Sequence, residues 1–148
     1  MKMRSLVVAG TLLGMSASVV FAADKKVQMK DLPAAVQQAV QAQTKGATLV
    51  GLATEREAGK TLYEAETKVN GKTRDLLFDA SGRLLEVEEE TSIDSVPPAV
   101  KTALASRGKL LRLETLTKGT AVTYEAQVEK NGKKSEVELG ADGKIVKK

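Results

Sequence analysis

The chain has 148 residues, with 23 basic and 19 acidic side chains, a formal charge of +4, and neither cysteine nor histidine. That composition excludes disulfides, Ser-His-Asp and Cys-His nucleophiles, and zinc or copper sites built on thiolate or imidazole. Without tryptophan, and with only two tyrosines and two phenylalanines, it also lacks the aromatic stacking and clustered bases of a nucleic-acid binder.

The first 22 residues read as a secretory signal peptide. Lys2 and Arg4 give a positive start, Ser5 to Val20 is apolar, and Val20-Phe21-Ala22 supplies small residues for cleavage before Ala23. Gly10, Gly14, Ser16 and Ser18 and the short run argue against a membrane anchor. Removing Lys2 and Arg4 leaves 21 basic and 19 acidic side chains, so the exported form is close to neutral. No later stretch is long and apolar enough to span a membrane.

Residues 23–30 are charged and are expected to fray. A helical pattern starts at Leu32-Pro33, continues through Val36, Ala39 and Val40, and ends at Gly46, with Asp31 or a neighbour as cap. A second helix starts at Val96-Pro97-Pro98, runs through Val100, Ala103 and Leu104, and ends at Gly108. Each is followed by a strand, Leu49 to Glu55 and Leu110 to Leu116, with Val50, Leu52 and Thr54, and Leu111, Leu113 and Thr115, expected inward.

A hairpin motif follows each of these strands. Tyr63-Glu64-Ala65, Asn70-Gly71-Lys72 and Asp79-Ala80-Ser81-Gly82 recur 61 residues later as Tyr124-Glu125-Ala126, Asn131-Gly132-Lys133 and Gly140-Ala141-Asp142-Gly143. Asn-Gly demands positive φ at both turn residues and fixes the register of a two-residue hairpin. Counting outward sets Tyr63 opposite Phe78, Ala65 opposite Leu76, Thr67 opposite Arg74 and Val69 opposite Lys72. In the second copy Tyr124 meets Leu139 and Ala126 meets Val137. Both tyrosines therefore read as core residues. A fourth strand is expected after each second turn, with Leu85 and Val87 inward in one copy and Val146 in the other. The fold expected is α+β: two tandem repeats, each a helix followed by a four-stranded antiparallel sheet. Their bounds are residues 23–90 and 91–148, with residues 91–95 as a short link.

The helix starts at Pro33 and Pro97, Tyr-Glu-Ala, Asn-Gly-Lys, and Ala-x-Gly-Arg/Lys followed by aliphatics resemble the PepSY-like family, which is similar to the β-lactamase inhibitory proteins. The resemblance covers about residue 31 to the end. It implies that the repeats join edge to edge into one curved sheet, with both helices on one face and a partner on the other. The family's inhibitor surfaces are rich in aromatic residues and its secreted members carry disulfides. This chain has neither, so β-lactamase inhibition is not carried over.

On the other hairpin face the same count sets Glu66 opposite Asp75 and Glu125 opposite Glu138, like-charge pairs that cost stability. Glu129 opposite Lys134 is the favourable pair there. Alternation adds Glu64, Glu86, Glu88 and Asp79 from the first copy, with Glu136 opposite Gln127 in the second. The bases, among them Lys45, Lys60, Lys72, Arg83, Arg107 and Lys133, fall in turns and at helix ends. Such a face can keep an open sheet soluble. It can equally dock a partner, with Glu64, Glu66, Asp75, Glu86, Glu88, Glu125 and Glu138 as the binding residues. The expected function is a non-enzymatic exported protein, periplasmic or secreted, that binds and restrains an envelope protein or peptidase. The alternative is an envelope module that holds divalent metal loosely through sheet carboxylates. No cofactor and no dedicated metal site are expected, since the Asp79 and Asp142 turns are too short for a calcium cage.

Overall fold

Two Asn-Gly turns set the strand registers around which the molecule is built. The computed structural model describes residues 25–146; the expected signal peptide, residues 1–22, lies outside them. In chain order the elements are β1 (Lys25–Lys26), α1 (Ala34–Gln43), β2 (Thr48–Glu57), β3 (Lys60–Val69), β4 (Lys72–Phe78), β5 (Leu84–Glu90), α2 (Pro98–Ala105), β6 (Lys109–Lys118), β7 (Ala121–Lys130) and β8 (Lys133–Gly140). Single 3₁₀ turns at Met29–Asp31 and Ile93–Ser95 precede the helices.

The strands form one antiparallel sheet in sequence order, β1 to β8. This overturns the expected fold of two tandem units of one helix and four strands. The copies do join edge to edge into one sheet, as the family resemblance implied, with Val87 to Glu90 of β5 paired to Glu114 to Thr117 of β6. What fails is the division into two equal helix-plus-four-strand units. A two-residue β1 is added at the far edge, against Ala53 and Thr54. The expected last strand shrinks to one bridge, Leu139 to Ile145. The two helices among the described residues are short, and those residues are mostly sheet.

Both hairpins keep the register their turns dictate. Tyr63 pairs with Phe78 and Ala65 with Leu76, while Tyr124 pairs with Leu139 and Ala126 with Val137. Asn70 and Asn131 take φ of 52° and 54°, as a type I′ turn requires. These faces carry the two cores. Val36 and Val40 of α1, one turn apart on one side of the helix, pack with Leu32, Leu52, Ala65, Leu76 and Phe78. Val100 and Leu104 of α2 do the same with Val96, Leu113, Ala126, Val128 and Leu139. Tyr63 and Tyr124 pack against the edges of these clusters. At about 25 cal/mol per Å², each fully buried Leu or Phe contributes roughly 2 kcal/mol, and the clusters supply most of the driving force.

Several local expectations fail for identifiable reasons. A bulge between Leu49 and Gly51, and another between Leu110 and Arg112, insert an extra residue into β2 and β6. Val50 and Leu111 are the inserted residues, and instead of pointing inward they are 56% and 36% exposed. A third irregularity pairs Leu77 with Glu86 but Phe78 with Leu84. It places Leu84 rather than Leu85 against the core. Val146 is likewise exposed. Asp31 does not cap α1, whose N-cap position is Pro33; its carboxylate accepts the Gln28 N–H at 3.1 Å. Nor are residues 25–30 frayed, since β1 pairs with β2 and Val27 and Met29 pack on the first core.

Candidate binding face

Alternation along the strands sends every second side chain to the face opposite the helices. Registers then stack these residues into rows that cross the sheet. One row runs Ala53, Glu64, Leu77, Glu86. The next runs Gly51, Glu66, Asp75, Glu88, Leu116, Thr123. A third sets Glu90 opposite Glu114, Glu114 opposite Glu125, and Glu125 opposite Glu138. All seven residues expected to form the face therefore lie on it. Glu66, Asp75 and Glu88 make one rung of three neighbouring acids, and Glu114, Glu125 and Glu138 make the second.

The rungs meet at the β5–β6 seam. There the carboxylate oxygens of Asp75, Glu88 and Glu114 lie within 4.8 Å of one another. All three residues are buried, as are Glu86 and the apolar Ala53, Leu62, Leu77 and Leu116 of the same face. α1 and α2 pack on the opposite face. A carboxylate withdrawn from water this far must be compensated by counter-charge and hydrogen bonds.

The compensation comes from residues that strand alternation alone does not assign to the acids, Lys118 among them, which reads as a turn base. Arg112 reaches Glu114 two residues along β6. Lys118 Nζ sits 3.1 Å from Glu86 Oε2, and the Thr123 hydroxyl donates to Glu138 Oε1 at 2.7 Å. Asp75, Glu88 and Glu125 are also engaged. The Glu86 Oε1 atom is buried without a hydrogen-bond partner. Glu114 was legible in principle: it falls between Leu113 and Thr115, both expected inward, and must point outward with the other acids.

Asp79 does not belong to the face. It closes the β4–β5 turn, accepting from the Ser81 N–H at 2.9 Å and from Arg83 Nε at 3.0 Å. The Ser81 hydroxyl, with the Arg83 and Ser81 backbone N–H groups and the Arg83 side chain, lowers its pKa to about 2. Asp142 does the same work in the turn after β8, its pKa lowered chiefly by the Lys144 N–H. Chemically, then, the face offers carboxylate acceptors beside buried leucines. That combination suits a cationic side chain or a hard cation.

No family model matches the sequence, and no curated protein matches it. Solved structures do. The chain is similar to a candidate periplasmic protein of Bacteroides eggerthii DSM 20697, at 21% identity and TM-score 0.65, covering 78% of this chain and 86% of that one. It is similar to a DUF2874 family protein of Bacteroides uniformis ATCC 8492, at 22% identity and TM-score 0.63 over the same shares. A BLIP-like protein of Bacteroides fragilis NCTC 9343 shares 25% identity at TM-score 0.57, over 76% of this chain and 82% of that chain. The fold is BLIP-like. Among the described residues no helix is long and apolar enough to cross a membrane.

Proposed function

We propose that this is an exported periplasmic protein that binds, without catalysing a reaction, a basic surface of an envelope protein or peptidase through the carboxylate face of its sheet. The observation that carries the reading is the pair of three-acid rungs, Glu66–Asp75–Glu88 and Glu114–Glu125–Glu138, on the side away from both helices. Like charges set opposite one another cost roughly 0.2–1 kcal/mol per pair. A cationic partner adds counter-charge beside the half-buried Glu66, Glu125 and Glu138 and is steered toward the face beforehand. A periplasmic setting agrees with the signal-peptide pattern of residues 1–22 and with the description of the Bacteroides eggerthii neighbour.

The test is capture from envelope extract on the immobilised mature protein, with Glu66→Gln/Glu138→Gln as comparison. The captured protein should elute as salt rises, because charges at the surface are screened within about 10 Å at 0.1 M. The double variant should melt at the same or a higher temperature and capture less. Capture indifferent to both salt and substitution would reject the reading. The rival reading, a loosely held divalent cation, rests on the three converging carboxylates at the seam. Calorimetry with calcium separates the two: saturable heat that Asp75→Asn abolishes, with no protein captured, would put the cation in place of the protein partner.

A further inference from the structure

The outer edge of β8 carries a different set of features. The sheet ends there. Lys130 and Lys133 flank the Asn131-Gly132 turn as a pair, so Ser135 and Val137 bond back to β7, while Lys134, Glu136 and Glu138 turn their N–H and C=O groups outward. Two bonds confirm this parity at the far end of the strand: Val146 N–H to Glu138 O and Gly140 N–H to Lys144 O, each 2.9 Å. Among the described residues the only neighbour on this edge is the bridge at Leu139. Beside Lys134 and Glu136 the strand borders a groove of about 850 Å³, whose lining includes Arg107, Lys130 and Val137 together with the acids Glu125, Glu136 and Glu138. Within it, Arg107 Nε is buried and has no hydrogen-bond partner.

The edge of β4 shows what such a place holds when it is filled. There β5 lies alongside, with Val87 opposite Leu76 and Glu89 opposite Arg74. Glu89 Oε1 is 3.2 Å from Arg74 Nε, and Arg74 Nη1 also donates to the Gln43 carbonyl at the end of α1, at 3.3 Å. The motif spacing matches Leu76 with Val137 and Arg74 with Ser135. On the β8 side the link to the helix end is made by Lys130, whose Nζ is 3.4 Å from the Ser106 carbonyl. The guanidinium is supplied by Arg107 instead, with its Nε unsatisfied.

We infer that the β8 edge is a strand-addition site for an extended acidic segment of a partner protein, with Arg107 recognising one of its carboxylates. Main-chain bonds to Lys134 and Glu136 supply affinity, and side-chain pockets on alternate positions supply specificity. An added antiparallel strand sets an aliphatic residue opposite Val137, where it extends the second core. It sets a basic or neutral residue opposite Glu136, an acid opposite Ser135 beside Arg107 and Lys130, and a second acid opposite Lys134. The segment therefore reads aliphatic, basic, acidic, acidic. A buried charged donor left unmade is costly, and the incoming carboxylate removes that cost. The groove also borders Glu125 and Glu138 of the carboxylate face, but the recognition residues Arg107 and Lys130 do not belong to that face, so Arg107→Gln tests this site and Glu66→Gln/Glu138→Gln the other.

A synthetic peptide with the sequence of residues 87–90 carrying Glu88→Lys supplies the pattern on the part of the edge that Ile145 and Val146 leave open, and NMR on the full mature chain reads its binding. Saturable shifts are expected at the amides of residues 133–137 and at Arg107 Nε–H. Arg107→Gln should weaken binding about tenfold, the scale of a hydrogen bond to a charged group. The same peptide with Glu89→Gln should lose about the same factor on the parent protein and almost nothing on Arg107→Gln, as coupled partners do. Glu136→Pro should abolish binding without unfolding the protein, because it removes only an outward N–H. The proposal is overturned by an absence of saturable shifts, by equal effects of the two peptides on both proteins, or by concentration-dependent dimers that occupy the edge. Binding that appears only once residues 147–148 are removed would assign the edge to the chain's own tail, and would equally overturn it.

Discussion

Leu76 and Val137 hold corresponding positions in the two hairpins yet differ in surroundings. Leu76 is fully enclosed between the sheet and α1, whereas Val137 is half-buried at the groove beside β8. Burial, more than residue type, decides what truncation costs. Leu76→Ala should destabilise by about 3 kcal/mol, from lost transfer energy and an unrelaxed cavity. Val137→Ala should cost about 1 kcal/mol, since part of its surface already meets water. Urea denaturation of the two variants checks the contrast, and equal losses would mean that the β8 edge is covered in solution. The acids follow the same logic at single-residue scale. Glu114 and Glu86 are buried because Arg112 and Lys118 accompany them on the same face. Asp79, in a turn, keeps its charge through hydrogen bonds from Ser81 and Arg83.

At the scale of elements, the helices are seated by two turns as well as by their apolar stripes. A Cβ on Gly82 would lie 2.5 Å from the Ala35 carbonyl oxygen, and one on Gly143 would lie 2.5 Å from that of Ala99. Both glycines also have positive φ, 81° and 76°. Gly143→Ala should therefore cost more than about 2 kcal/mol, combining backbone strain with displacement of α2. Gly71→Ala, with φ of 80° but open space around it, should cost only about 1 kcal/mol, the conformational part alone. Thermal melts of both variants measure the difference; a Gly143→Ala protein as stable as Gly71→Ala would unseat this account of helix placement. The hairpins around Gly71 and Gly132 were legible because Asn-Gly fixes turn type and hence every pair outward from it. The bulges at Val50 and Leu111 were not, because an aliphatic residue reads the same in an alternating strand and as an inserted residue. The seam of carboxylates shared that fate in part: alternation placed Glu66, Asp75 and Glu88 on one face, but Glu114 joins them only because β5 pairs with β6.

That β5–β6 pairing decides how the whole molecule behaves. Each core has seven buried residues and one short helix, and a unit of about 60 residues buries too little surface to be more than marginally stable alone. Four residue pairs join the halves, and the seam encloses Glu88 and Glu114. Opening it would bring these carboxylates and their counter-charges into water, and would expose two more sheet edges to non-native pairing. The two cores should therefore unfold together, in one cooperative transition on heating or in urea, with circular dichroism and tyrosine fluorescence superimposing. Leu76→Ala in the first core and Leu139→Ala in the second should each move that single transition rather than split it. Native-state hydrogen exchange should likewise give the β5 and β6 amides protection equal to that of β3 and β7. Two resolved transitions, or seam amides that exchange well before either core, would show instead that each half folds alone and that the continuous sheet is only a docking of independent units.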